Sequence, residues 1–422
     1  MTRPHRGTTG SSMRDAALGV VRTLRDAGFD ALFAGGCVRD RVMGKEPHDY
    51  DVATAAPPDR VVGLFRRTRK VGIQFGVVLV GVKQYWIEVA TFRSDGDYLD
   101  GRRPDHVEFT NAREDAIRRD FTINGMFFDP LADRLIDYVG GEADIRDCLI
   151  RAIGDPARRF DEDHLRLLRA VRFAARFNFQ IEPITHDAIR THAPLVRKVS
   201  PERIHDELER MLSHANRAKA FEMLIATGLL PHLWSGAEEI APYAERIQIM
   251  LAALPSGSSF ELALAAILHA LSPIRAEDVC RRLMCSNRTT KTAVWLIEHQ
   301  DDLIKPASVT LADLKLLMAC RPFPLLLDFL AARLAADRAP LNAHTEMVRR
   351  SQAIPHDDVA PPAFITGKHL GKLGLPPGPE YKAILARIYY AQLNGDIKDK
   401  PTARNMARRL IAELPDRNAH VD

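Results

Sequence analysis

Cysteine is scarce and scattered: Cys37, Cys148, Cys280, Cys285 and Cys320 are the five in 422 residues. The number is odd and no C-x-x-C spacing occurs, so neither a disulfide framework nor a zinc site is indicated. Such a chain suits a reducing compartment, and the cytoplasm is the expected location. No stretch approaches the roughly 18 continuous apolar residues of a spanning helix, and the polar start from Met1 to Ser12 lacks the apolar core of a leader, so no membrane segment is expected. Excess charge of one sign is missing too. Lys+Arg 59 against Asp+Glu 55 leave +4, so any polyanion site must come from local clustering. What remains, 46% hydrophobic and 27% charged residues, is the balance of a folded, water-soluble chain long enough for two to four domains.

Ser12 can cap a helix whose apolar positions Met13, Ala16, Ala17, Val20, Val21 and Leu24 fall at helical spacing, with Gly28 as its stop. Leu32 to Ala34 then reads as a short buried strand, Gly35-Gly36 as a break, Val38 to Met43 as a short helix and Asp49 to Ala53 as an extended run. Phe75 to Val82 and Tyr85 to Phe92 form a predicted hairpin. From about Glu142 strand signals vanish and helical patterns take over at Asp161 to Phe177, Pro201 to Ser213, Arg217 to Thr227, Phe260 to Leu271 and Tyr381 to Asn394. No fixed-period repeat occurs there, and Pro- and Gly-rich segments at 255–259, 355–362 and 375–379 are plausible joints.

Asp49 and Asp51 are two apart in a strand-like run, so a period of two places both carboxylates on one face, where like charges call for a cation. Magnesium fits, because it takes oxygen ligands and keeps waters and substrate phosphates in its shell. An isolated D-x-D is more often two solvated acids. Here Gly35-Gly36 lies upstream between a strand and a helix, where backbone N–H groups can hold a phosphate, and Arg39 lies on that helix. Glu88, on the second hairpin strand, either supplies a third carboxylate or stands solvated or ion-paired.

Gly35-Gly36-Cys37-Val38-Arg39-Asp40 followed by Asp49-Tyr50-Asp51 resembles the signature of class II tRNA nucleotidyltransferases, the CCA-adding enzymes, and of bacterial poly(A) polymerases. Further blocks agree in order. Arg118-Arg119-Asp120-Phe121-Thr122-Ile123-Asn124 resembles the ribose-binding motif, and Asp137 to Gly141 the hinge motif. Glu162-Asp163-His164-Leu165-Arg166 with Arg169 and Arg172 resembles the nucleotide-selecting motif, and Pro201 to Leu212 the helix that buttresses the neck. The resemblance is good over residues 28–235 and looser beyond. It implies an α+β fold: a polymerase β superfamily head of mixed sheet and helices, then an all-helical neck, body and tail. The implied divisions are an N-terminal helix (1–27), head (28–147), neck (148–215), body (216–300) and tRNA-binding tail (301–422).

The implied activity is template-independent addition of CCA to the 3′ end of tRNA from CTP and ATP with Mg2+. Asp49 and Asp51 would be the metal ligands, with Glu88 beside them. Gly35, Gly36 and Arg39 would form the phosphate turn. Arg119, Asp120 and Asn124 would hold ribose and phosphates, and Arg169 and Arg172 would neutralise the triphosphate. Asp163 and Arg166 would act as a protein template. Cytosine and adenine each present an amino donor beside a ring-nitrogen acceptor, which a carboxylate beside a guanidinium can pair with, whereas uracil and guanine reverse that order. Spacing i to i+3 on one helix sets the two on adjacent turns; a helix salt bridge with Glu162 is the structural alternative.

Ile73-Gln74 within Val71 to Val77 replaces the basic pair of poly(A) polymerases and favours the tRNA enzyme. An A-only or poly(A) enzyme, and more remotely a non-catalytic RNA-binding protein, remain the alternatives. Ala270 after His269 removes the Asp of a His-Asp phosphohydrolase, which leaves His269 as a core or helix-face residue. Basic clusters at Arg66 to Lys70, Arg281-Arg282 and Arg408-Arg409 are candidates for phosphate contact. The charged stretch from Ser94 to Pro104 is expected to be a mobile loop that, by resemblance, switches the pocket from C to A.

Overall fold

The computed structural model describes residues 12–71, 76–96 and 107–414. Two compact units emerge, Met1–Glu239 with Arg282–Met284, and Ile240–Arg281 with Cys285–Asp422. The first begins with helix α1 (Met13–Asp26). Its start is fixed by a capping box: Ser12 Oγ accepts from the Asp15 N–H at 3.2 Å and Asp15 accepts from the Ser12 N–H at 3.1 Å. Gly28, at φ 85°, turns the chain into the sheet.

Strand β1 (Ala31–Ala34) leads through α2 (Gly36–Val42) to β2 (Asp51–Thr54), and α3 (Pro58–Leu64) precedes β3 (Thr68–Lys70). The hairpin of β4 (Val77–Val82) and β5 (Tyr85–Thr91) closes through two residues, with Lys83 at positive φ as such a tight turn demands. Then come β6 (Arg93–Asp95), β7 (Val107–Phe109), α4 (Ala112–Ile117), a 3-10 turn (Thr122–Asn124), β8 (Phe127–Asp129) and β9 (Arg134–Ile136). The seven-stranded sheet runs β3-β4-β5-β2-β1-β8-β9. One face buries Val52, Val78, Val80, Ile87 and Val89 under the apolar side of α1; the other buries Leu32, Ala34, Ala53, Phe92 and Phe127. Alternation along the strands thus fills both faces.

Helices α5 (Gly141–Arg146), α6 (Pro156–Glu162), α7 (Leu165–Phe177), α8 (Pro183–His192), α9 (Pro201–Leu212) and α10 (Arg217–Ala226) complete this unit. The second unit is helical throughout its described residues, among them α11 (Ala244–Ala253), α12 (Phe260–Leu268), α13 (Pro273–Arg282) and α14 (Asn287–Glu298). The mixed head and helical remainder are as expected, and no helix of the described residues is long and apolar enough to cross a membrane.

Several local expectations are corrected. Strand β2 begins at Asp51, so Asp49 precedes the strand instead of sharing its face. The helix expected over Asp161 to Phe177 is two helices, because Asp163 takes an extended conformation (φ −143°, ψ 103°) between α6 and α7. Strand structure also persists past Glu142, as β10 (Leu149–Ile150) pairs in parallel with β11 (Gln180–Ile181). Two-residue strands are too short to leave a periodicity. Of the loop expected over Ser94 to Pro104, Ser94 and Asp95 lie in β6, which pairs with β7 beyond the loop, while residues 97–104, like Ile73-Gln74, lie outside the described residues.

His269 is buried. Its Nδ1–H donates to the Ala266 carbonyl at 3.0 Å and its Nε2 accepts from Arg246 Nε at 3.1 Å, while burial pushes its pKa down to about 4. It is a neutral core histidine. Helices α7 and α9 are joined by Arg172, whose Nε donates to Glu207 Oε2 at 2.5 Å with both side chains buried. Breaking such a pair strands a charge. Glu207→Ala should therefore lower unfolding free energy by about 3–5 kcal/mol in urea titration, and a double Arg172→Met/Glu207→Leu variant should recover most of the loss.

Candidate active-site cleft

A cleft of about 520 Å³ opens between the sheet and α7, lined by Gly35, Gly36, Arg39, Asp51, Glu88, Arg118, Arg119, Asp120, Asn124, Asp163, Arg166, Arg169 and Phe173 among others. Its size is that of a small-molecule site. Eleven of the thirteen expected site residues line it; the exceptions are Asp49 and Arg172.

The carboxylate wall follows from strand register. Parallel pairing of β2 with β5 sets Asp51 beside Glu88, and antiparallel pairing of β1 with β2 sets Ala34, one residue before the glycine turn, opposite Asp51. Gly35 adopts φ 68°, ψ −126°, a conformation only glycine takes readily. A Cβ there would come within 3.3 Å of Arg119 Nη1 and 3.9 Å of Asp51 Oδ2, so the turn lies directly against both charges. Asp51 is open to the cleft, yet the surrounding walls displace much of its water. That burial first, then the charge of Glu88 and that of exposed Asp49, push its pKa up to about 6 against the pull of Arg119. Burial also raises Glu88. Two acids side by side with their charge incompletely compensated form a site that favours a cation.

The basic wall is a network. Asp120 accepts from Arg169 Nε (2.8 Å) and Nη2 (2.5 Å), from Asn124 Nδ2 (3.1 Å) and from the Phe121 N–H (2.8 Å). Burial would raise its pKa, but Arg169 and these bonds hold it down at about 2. Asn124 Oδ1 in turn accepts from Arg39 Nη1 at 2.8 Å, and Arg39 also donates to Asp40. Arg39 and Arg169 both lie over the Phe173 ring, at 5.6 and 5.3 Å. Asp120 thus lines the cleft as the anchor that Arg169 and Asn124 share.

Asp163 and Arg166 share the cleft but bind other partners. Asp163 accepts twice from Arg203 Nη2 of α9 (3.0 and 3.2 Å), and Arg166 donates to Glu162 at 2.7 Å and to the Arg159 carbonyl at 3.0 Å. The helix salt bridge with Glu162 is thus present, across the break at Asp163. Arg172, committed to Glu207, does not line the cleft. Two positioning residues escaped the sequence. Arg203 lies 40 residues from Asp163, without a local signal. Asp115, 1% exposed, accepts from both Arg118 (2.6 Å) and Arg119 (2.8 Å); its i,i+3 and i,i+4 spacing to that Arg pair was the available clue.

Residues 31–151 match the family model described as the poly A polymerase head domain, and residues 178–240 the one described as a probable RNA and SrmB-binding site of polymerase A. The CCA-adding enzyme of Levilactobacillus brevis is 34% identical over 403 residues, 94% of this chain and 96% of that one. This chain belongs to the CCA-adding enzyme family. The Geobacillus stearothermophilus CCA-adding enzyme is 35% identical over 95% of this chain and 96% of its own length. A crystal structure of the Bacillus stearothermophilus CCA-adding enzyme in complex with CTP superposes with TM-score 0.79 at 30% identity, covering 96% of this chain and 99% of that one.

Asp115→Asn removes the charge that orders two cleft arginines of this family member. We expect CTP affinity to fall roughly tenfold or more, as lost charge-assisted bonds of about 1.5–3 kcal/mol imply, while tRNA affinity in a filter-binding assay stays within about twofold.

Proposed function

We propose that the cleft is where this CCA tRNA nucleotidyltransferase joins CTP and ATP to the 3′ end of tRNA, and that Mg2+ is held at its acidic wall by Asp51 with Glu88 beside it and Asp49 reaching in from just before the strand. The observation that carries the reading is the register of Asp51 with Glu88 against the Gly35 turn, facing Asp163 and Arg166 across one cleft. Among the described residues no group of three or more His, Cys, Asp or Glu side chains is placed to hold a metal ion. Magnesium there would take one or two carboxylates and complete its shell with water and substrate phosphate. The raised Asp51 pKa is a second sign that a cation belongs there. When bound, Mg2+ would neutralise the triphosphate and make the primer 3′-hydroxyl easier to deprotonate.

The protein's own groups do the rest. The backbone at Gly35 and Gly36 and the guanidinium of Arg119 receive phosphate oxygens next to the acids, so the α-phosphate is presented to the 3′-hydroxyl with pyrophosphate as leaving group. Asp163 keeps a lone pair free after accepting from Arg203 and the Leu165 N–H and takes the exocyclic amine of cytosine or adenine, while Arg166 donates to the ring nitrogen. Arg203 aims Asp163. The cytoplasm, where tRNA ends are matured, is the proposed location.

Asp49→Ala and Asp51→Ala should each lower incorporation of both nucleotides by more than about 100-fold, beyond the loss typical of groups that merely support a metal ligand. Incorporation persisting near wild type in either would refute the ligand set. Arg203→Ala should lower the preference for CTP over UTP roughly tenfold or more, by freeing Asp163 from a charged hydrogen bond of about 1.5–3 kcal/mol. Equal losses for every nucleotide would make Arg203 structural only. Asp51 is charged above about pH 6 and protonated below it. At limiting Mg2+, turnover should therefore be flat above that pH and fall about tenfold per unit below it.

A further inference from the structure

Helix α13 ends in a turn that the sequence did not reveal. Met284 takes positive φ (53°), and the Cys285 N–H donates to the Cys280 carbonyl at 2.9 Å. That six-residue closure is the Schellman helix end, in which the side chains at its first and last positions meet. Here both positions are cysteine. The turn thus sets the two thiols at the paired ends of one helix stop, and Cys285 and Thr290 of α14 act on the Cys280 thiol as hydrogen-bonding neighbours. Cys285 is held from the other side as well, since the next residue, Ser286, caps α14 by accepting from the Thr289 N–H at 3.1 Å. Two thiols are thus kept together by backbone hydrogen bonds on both flanks.

We propose that Cys280 and Cys285 form a reversible redox pair, oxidised by a hydroperoxide to an intrachain disulfide that staples the α13–α14 turn. Cys285 is half-buried and accessible to the oxidant; Cys280 is fully buried behind it. In the first step the Cys285 sulfur, as thiolate, attacks one oxygen of hydrogen peroxide; the S–O bond forms, the O–O bond breaks, and the departing hydroxide takes up the proton that the thiol gave up and leaves as water, giving Cys285 sulfenic acid. In the second the Cys280 sulfur attacks the Cys285 sulfur; the S–S bond forms, the S–O bond breaks and water leaves with the Cys280 proton. The peroxide is reduced and the two thiols are oxidised by two electrons. Exchange with an external dithiol reverses the change. The Cys285 hydrogen bond, with help from Thr290, holds the Cys280 thiol below its ordinary value against burial, which suits the attacking role. Cys37 offers a contrast, for burial pushes its thiol up to about 11. A disulfide in a protein of reducing surroundings is typically transient and redox-sensing.

The test treats the native full chain with hydrogen peroxide, then denatures, alkylates and digests it with trypsin, whose cuts after Arg281 and Arg282 separate the two cysteines. Expected is a linked peptide pair two hydrogens lighter than its parts, released by dithiothreitol, and an oxidised protein in which Cys280 resists alkylation. In Cys285→Ser, Cys280 should stay fully alkylatable. In Cys280→Ala, Cys285 should accumulate sulfenic acid trappable by dimedone. Cys280 remaining alkylatable in peroxide-treated wild type, Cys285 advancing to sulfinic acid, or Cys285 linking to another cysteine would each overturn the pair. The wild-type map decides the question even if a variant folds poorly.

Discussion

The Asp120 carboxylate is the point on which the cleft depends. Four hydrogen bonds converge on it, from α7 through Arg169 and from the residues that follow it through the Phe121 N–H and the Asn124 amide, and Asn124 passes the connection to Arg39 on α2. One charge thereby ties α7 to α2, the helix that follows the glycine turn. In a low-dielectric setting a fully satisfied network of this kind is rigid, and each member is costly to remove because its partners are left buried without compensation.

Around that anchor the charges divide the labour. Arg118 and Arg119 are fixed by Asp115, Arg169 by Asp120, Arg166 by Glu162 and Asp163 by Arg203. The cations of the cleft are preorganised by acids behind them, so they present donors to a ligand with little reorganisation. The sheet acids are treated oppositely. Asp51 and Glu88 are set side by side by strand pairing and carry raised pKa values, a strain that a bound cation would relieve.

Much of this was legible in the residues. Helix α1, the hairpin, the Gly35-Gly36 turn and the helical second half follow from periodicity and turn chemistry, since each signal is local. The strand register that joins Asp51 to Glu88 is not local, and so Glu88 could be placed on a strand without knowing what it faced. The apolar spacing runs through Asp163 and reads as one helix, but Asp163 breaks it, its carboxylate accepting from the Leu165 N–H at the start of α7 and from Arg203, which sequence distance hides. Arg172 shows the reverse error. As one of several arginines in a resembling motif it looked like a phosphate ligand, but a buried glutamate on a packed helix claims it. The two cysteines of the α13 turn went unnoticed for a third reason. Their spacing matches no metal or redox motif and acquires meaning only once the helix end is seen.

The most direct test is calorimetric CTP binding by Asp120→Asn, which keeps shape and removes only the charge. The network account predicts a folded protein whose CTP dissociation constant rises roughly tenfold or more, the equivalent of at least one charged hydrogen bond of about 1.5–3 kcal/mol. A folded Asp120→Asn protein that binds CTP as wild type does would contradict it.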